Sequence, residues 1–358
     1  MFLFNLDYSK RTFGLDILRA LAIIEVVMQH GRFILGDLTA NLGWFKLIPG
    51  VTLFFVLSGF LIGSILIKTF EKEGLSLPII LKFLKRRWFR TLPNYYLILI
   101  LNIVFVYYGV IKEDFTQFNY TFFVFCQNLY KPFYGFFWES WSITIEEWFY
   151  LSFPLIFSLF YVLFTKKNIK LLLLIVVLLY ILFPISMRII GLGNSSIWAG
   201  QNAHGIVIYY IDAIAYGILG AYIKFYYSNI WKKTKAFNFI IGLLIIFFML
   251  YFDKSDWGNY NKVFSPPLIY IGILLILPFA DSIKVGNRYL VQVITHISII
   301  SYSMYLINLA LVAAVIRDNF MPIGYNPLLT YTIYWIVVIL LSTLLYKFYE
   351  KPIMDLRD

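Results

Sequence analysis

The chain repeats one pattern ten times: runs of about 17 to 25 largely apolar residues, at 13-34, 49-68, 91-111, 142-164, 170-190, 205-226, 236-252, 264-280, 296-316 and 328-348. In hydrocarbon no water can take a free peptide N–H or C=O, so runs of this length must be helices whose backbone bonds close internally. The expected fold class is an all-α integral membrane protein with about ten transmembrane helices. The segment from Tyr120 to Tyr130 is apolar but shorter, and it reads as re-entrant or interfacial. No polar stretch is long enough for a soluble domain, so residues 1-358 read as one transmembrane domain. Composition agrees, with 61% of residues hydrophobic and only 14% charged.

A net charge of +11 would suggest nucleic acid in a soluble protein, so its placement decides. With the N-terminus inside, twenty-one of the 30 Lys and Arg fall on one side of the membrane and eight on the other, Arg188 among the eight, while Arg19 lies within it. This positive-inside asymmetry places both termini in the cytoplasm and makes the surplus an orientation signal; nucleic acid is not an expected partner. The first run is too long and too polar for a cleavable signal peptide. One cysteine, Cys126, excludes an internal disulfide, and with three histidines in the chain no metal site is expected.

Charged and polar residues inside the runs are the candidates for chemistry, because hydrocarbon penalises them. The first run carries Asp16, Arg19, Glu25, Gln29 and His30. On a helix Arg19 and His30 lie ~20° apart around the axis and ~16 Å apart along it, with Asp16 ~60° from Arg19. One face thus holds a cation near one end and an imidazole well inside, and an Asp16–Arg19 salt bridge with an interfacial histidine fits equally well. In the second run Ser58 and Gly59 interrupt apolar residues, either to pack closely against the first helix or to touch a ligand. Arg87 and Arg90, three apart before Pro93, share a helix face; they suit phosphate groups as a guanidinium pair and suit positive-inside targeting as well.

Thr144 and Glu147 fit a capping box at the start of the fourth helix, which leaves Glu146 without a structural assignment at the depth expected for His30. A carboxylate there orients an imidazole, or rests at the positive end of the helix. Asp212 lies inside the sixth run and needs a partner or water. Ser301, Tyr302, Ser303, Tyr305 and Asn308 give the ninth a polar stripe suited to interhelical hydrogen bonds. Glu350, followed by Lys351, reads as half of an interfacial salt bridge, and His204 and His296 as interfacial residues.

The combination resembles the acyltransferase-3 family of membrane acyltransferases. Arg19 and His30 match its R-x10-H signature, FFVLSGFLIG its second-helix motif, and Arg87 to Arg90 its R-x-x-R. WSITIEEWFYLSFP, beginning at Trp141 and Ser142, matches its tryptophan-serine, glutamate, phenylalanine-tyrosine and proline pattern, and SYSMYLINLALV and YKFYEKPI resemble its last two helices. Two departures stand out: Asn308 occupies a position where many members carry histidine, and the arginine that some members place just before the aspartate of Asp212 is missing. The chain ends soon after Glu350, as in members that lack an appended hydrolase-like domain.

The resemblance implies acyl transfer, usually of acetyl, from cytoplasmic acyl-CoA to a hydroxyl of a glycan, lipid-linked or small-molecule acceptor, by an enzyme of the bacterial cytoplasmic membrane. His30 and Glu146 would then be catalytic, with the CoA phosphates near Arg19, Arg87, Arg90 and Ser58. Asp16, Trp141, Ser142, Asp212, Tyr305 and Glu350 would support them. The ~16 Å from Arg19 to His30 is comparable with the reach of a pantetheine arm. The competing reading is a polytopic transporter or glycan exporter, which also carries ionisable residues at membrane depth.

Overall fold

The computed structural model describes residues 11–39, 49–132, 135–164, 168–191, 205–252, 258, 260–284 and 286–357. Among these residues there is no strand, and eight helices are long and apolar enough to cross a membrane. They are α2 (Gly50–Glu73), α3 (Leu77–Tyr107), α4 (Ser140–Leu163), α5 (Ile169–Gly191), α6 (Val207–Tyr226), α9 (Tyr260–Ser282), α10 (Arg288–Ile323) and α11 (Pro327–Asp355). The remaining two apolar runs are helical too: α1 (Phe13–Gly31), with three charges in its nineteen residues, and the shorter α8 (Lys235–Tyr251). A six-residue helix, α7 (Ser228–Lys233), joins α6 to α8.

Several boundaries differ from the sequence expectation in ways that bear on function. α3 begins at Leu77, well before the apolar run, so Arg87 and Arg90 share a helix face as expected but lie in the middle of a longer helix. Pro93 lies within that helix without ending it, and its carbonyl accepts a hydrogen bond from the Tyr349 hydroxyl at 3.3 Å. α4 begins at Ser140, four residues before the supposed capping box. Thr144 is therefore interior, and Glu147 instead accepts 2.6 Å from Thr91 of α3. Residues 115–122 make two single 3₁₀ turns, Phe115–Gln117 and Tyr120–Phe122, so the short apolar segment is no helical span.

α1 is wrapped by α2, α9 and α10, which is how a helix with three charges avoids lipid. The close approach expected of Gly59 occurs, but against α6 rather than α1. A Cβ on Gly59 would stand 1.9 Å from the Ile214 carbonyl oxygen, and one on Gly217 2.0 Å from that of Val56. Two backbones in such contact exclude any larger residue at either position. Apolar side chains gather in two clusters, one centred on α2, α4, α5, α6 and α9, the other on α3, α10, α11 and the aromatic 115–137 loop. α1 contributes to both, and the candidate site opens on the seam between them.

Candidate functional site

A cavity of about 290 Å³ lies on that seam. Phe55 and Tyr150 of its wall belong to the first cluster, Ile143 and Tyr305 to the second. Seven sequence-predicted residues meet in its lining: Arg19, Arg87, Arg90, Ser58, Ser142, Glu146 and Tyr305. Three of its side chains are guanidinium groups and one is a carboxylate.

Each arginine is placed differently. Arg19, from α1, stands 3.7 Å from Asp16 and 3.4 Å from the Ser298 hydroxyl of α10. The expected Asp16–Arg19 contact is thus real but long, and Asp16 binds more tightly to Arg11 (2.5 and 2.8 Å) and Ser298 (2.6 Å). Asp16 is therefore a buried anchor between α1 and α10, not part of the cavity wall. Arg87 lies 5.8 Å from the centre of the Phe83 ring, and among the described residues neither Arg87 nor Arg90 forms an ion pair. Behind Arg90, Glu350 is 3% exposed and accepts from Asn94 (2.8 Å) and Ser303 (2.5 Å). The interfacial Glu350–Lys351 bridge does not form; Lys351 pairs with Asp355, and Glu350 ties α3, α10 and α11 together.

Glu146 faces the cavity, accepting from the Tyr150 hydroxyl at 3.0 Å and the Ser58 hydroxyl at 3.4 Å. It does not hold His30. Helix α4 starts at Ser140, so Glu146 lies ~9 Å into the membrane-spanning segment, whereas His30 is the penultimate residue of α1. At that level the partners are others. His30 Nδ1 is 2.6 Å from Asn308 Oδ1, on the residue of α10 where many relatives were expected to carry histidine. Ser142 donates 2.7 Å to the Tyr305 hydroxyl, which donates 3.0 Å to the Glu139 carbonyl. Asn308, one turn beyond Tyr305, thereby links the imidazole to the cavity wall.

Glu139 is a residue the sequence reading missed. It is 1% exposed, its Oε1 accepts 2.7 Å from the Ala310 amide, and its Oε2 has no partner among the described residues. Burial pushes this carboxyl up to about 8. The signal was available: an acidic residue two places before Trp141, read as loop because the helix was started too late. The backbone leading to it is held by Phe137, at φ 44°, whose N–H donates 3.0 Å to Glu113.

Two further candidates lie away from the cavity. The Trp141 ring meets Phe55 edge-on at 5.9 Å, and its carbonyl accepts 3.0 Å from Asn128, so it buttresses the wall from behind. Asp212 finds its partner in Arg188, counted in the sequence among the eight cations of the outer side but 0% exposed within α5. The pair is bidentate, at 2.6 and 3.2 Å, and Arg188 also donates to the Tyr209 carbonyl. His296 bonds Thr343 at 3.1 Å, and His204 lies outside the described residues.

The arrangement can hold a polyanion at the arginine end; His30 does not line the cavity and meets its wall through Asn308 and Tyr305. Comparison with known proteins bears on which chemistry that serves. A family model described as an acyltransferase domain (Acyl_transf_3) matches residues 12–347. The O-acetyltransferase OatA of Staphylococcus aureus strain NCTC 8325 / PS 47 is 28% identical over 384 residues, covering 97% of this chain and 58% of the relative. OatA of strain COL matches over the same extent at the same identity. The chain thus spans less than two thirds of the length of these relatives. No solved structure matches it.

Proposed function

The chain belongs to the acyltransferase-3 family, and from that premise we propose that it is a membrane O-acyltransferase carrying an acyl group, acetyl first of all, from acyl-CoA to a hydroxyl of a cell-surface glycan or related acceptor. The observation that carries this reading is the charge of the cavity: three arginines and a single glutamate line it, on the seam between the two apolar clusters. Cations gathered inside a membrane bundle are costly where their charge is incompletely paired, and a ligand that supplies phosphates offsets that cost. A volume of about 290 Å³ suits an acyl-pantetheine arm better than a nucleotide, so the nucleotide would stay at the mouth beside Arg87 and Arg90.

In this reading the thioester extends from the arginines past Ser58 and Glu146 toward Ser142 and Tyr305. The acceptor hydroxyl attacks the thioester carbonyl carbon. A C–O bond forms, the C–S bond breaks, and His30 takes the hydroxyl proton and returns it to the CoA thiolate. Neutral His30 is the competent form. Ten crossings with both termini in the cytoplasm, in a bacterial cytoplasmic membrane, complete the proposal; the lysine and arginine asymmetry supports it.

Purified detergent-solubilised protein incubated with acyl-radiolabelled acetyl-CoA and cell-envelope glycan tests this. Label is expected in the glycan with wild type and reduced by on the order of 10²- to 10⁴-fold with His30→Ala, the usual worth of a general base. Equal labelling by both removes His30 from the mechanism. Neither binding nor transfer by folded protein would put a transport function in its place.

A further inference from the structure

Asn308 is fully buried and is the first residue of a π-helical turn, Asn308–Ala313, inside α10. Its side-chain amide nitrogen donates to two backbone carbonyls, Met304 and Tyr305, both at 2.7 Å. An amide nitrogen has two protons, and both are spent there, so the orientation of the group is settled by its own helix. The oxygen is left facing His30 Nδ1 at 2.6 Å. An amide oxygen can only accept, so the imidazole proton sits on Nδ1 and the lone pair on Nε2.

The surroundings hold this arrangement from both sides. The amide of Ala310, two residues on, donates to Glu139 Oε1, which pins the widened turn to the loop before α4. Helix α1 ends flat against Tyr334: a Cβ on Gly31 would stand 2.4 Å from that ring, and the Tyr334 hydroxyl donates 3.0 Å to the Val27 carbonyl. π turns of this kind recur at functional sites because they re-aim a side chain out of helical register.

We propose that Asn308 is the positioning residue for His30, its amide oxygen fixing the Nδ1–H tautomer and leaving Nε2 as the basic atom. The inference rests on His30 being the base, and deepens it: the partner of the imidazole is neutral, where a carboxylate was expected.

The tautomer is measurable without any activity. In protein labelled with ¹⁵N-histidine and reconstituted in lipid, three histidines contribute, and His30→Ala identifies the signal of interest. Solid-state NMR at neutral pH is expected to report a protonated Nδ1 and a bare Nε2; a protonated Nε2 in the neutral ring overturns the proposal even if acyl transfer is demonstrated. Conversely, the expected spectrum stands if no acyl acceptor is ever found. Catalysis supplies the second arm. Asn308→Leu is expected to lower kcat by on the order of 10²-fold with donor KM unchanged. Asn308→Asp, which keeps an acceptor for Nδ1–H but loses both donors, is expected to recover most of that loss. If the donors to Met304 and Tyr305 are what matters, the aspartate variant is at least as impaired as the leucine one, and the positioning role fails.

Discussion

Two sets of arginine lie in one bundle, one wholly buried and one half-buried at a cavity. Arg188 is 0% exposed and meets Asp212 through two hydrogen bonds, so its charge is complete within the protein. Arg87 and Arg90 line a cavity with no ion pair among the described residues, facing a glutamate already engaged by Tyr150 and Ser58. The first set has an anion and no room; the second has room and too little anion. A buried arginine is therefore no sign of a ligand by itself. The sign is residual charge next to empty volume, because that combination is stable only when something else supplies the negative charge.

The contrast breaks most visibly at Asp212. Asp212→Leu leaves a buried guanidinium uncompensated and is expected to cost about 3 to 5 kcal/mol, seen as a fall in folded, monodisperse protein and in the thermal midpoint. Adding Arg188→Met should restore most of it; a double variant as damaged as the single one would mean that Asp212 serves more than its partner. At the cavity the sign reverses. Arg90→Gln removes a charge that forms no ion pair among the described residues, so the ligand-free protein should melt no lower than wild type, while donor KM rises roughly 10- to 100-fold, as for loss of a hydrogen bond to a charged group. The difference should shrink with added salt. Reduced stability with an unchanged KM would make Arg90 another Arg188. The smallest effect is expected at Ser58, whose bond to Glu146 is long at 3.4 Å. Ser58→Ala should shift donor KM by less than about 1 kcal/mol equivalent, and a larger change would indicate direct contact with the donor.

Much of the cavity could be read from the chain because its residues are expensive where they stand. Arg19, Ser58, Glu146 and Tyr305 are polar breaks in apolar runs, and a helix offers few ways to hide them; Arg87 and Arg90 stood out by their three-residue spacing in a basic stretch. Depth was harder. Starting α4 at Thr144 instead of Ser140 raised Glu146 to the level of His30 and left Glu139, which is at that level, out of view. Pairing across helices was not legible at all. Arg188 and Asp212 are 24 residues apart on different helices, and nothing local to either names the other. Likewise Asn308 shows up as a departure from a family pattern, but only the π turn and its two carbonyl bonds reveal where its oxygen is aimed.

The Arg188–Asp212 pair also has a history, since the two halves are synthesised at different times. Arg188 emerges first, in the last turn of α5, where an arginine resists insertion by less than the ~2.5 to 3.5 kcal/mol it costs at a helix centre. It rides in α5, the most apolar of the eight candidate spans, whose leucines and isoleucines can carry that penalty into the bilayer. Asp212 follows in α6, the least apolar of the eight, which gains the arginine as its partner once it arrives. The strong inserter thus shelters a charge on behalf of the weak one, and the order of the genes' codons sets the order in which the bundle becomes electrically whole.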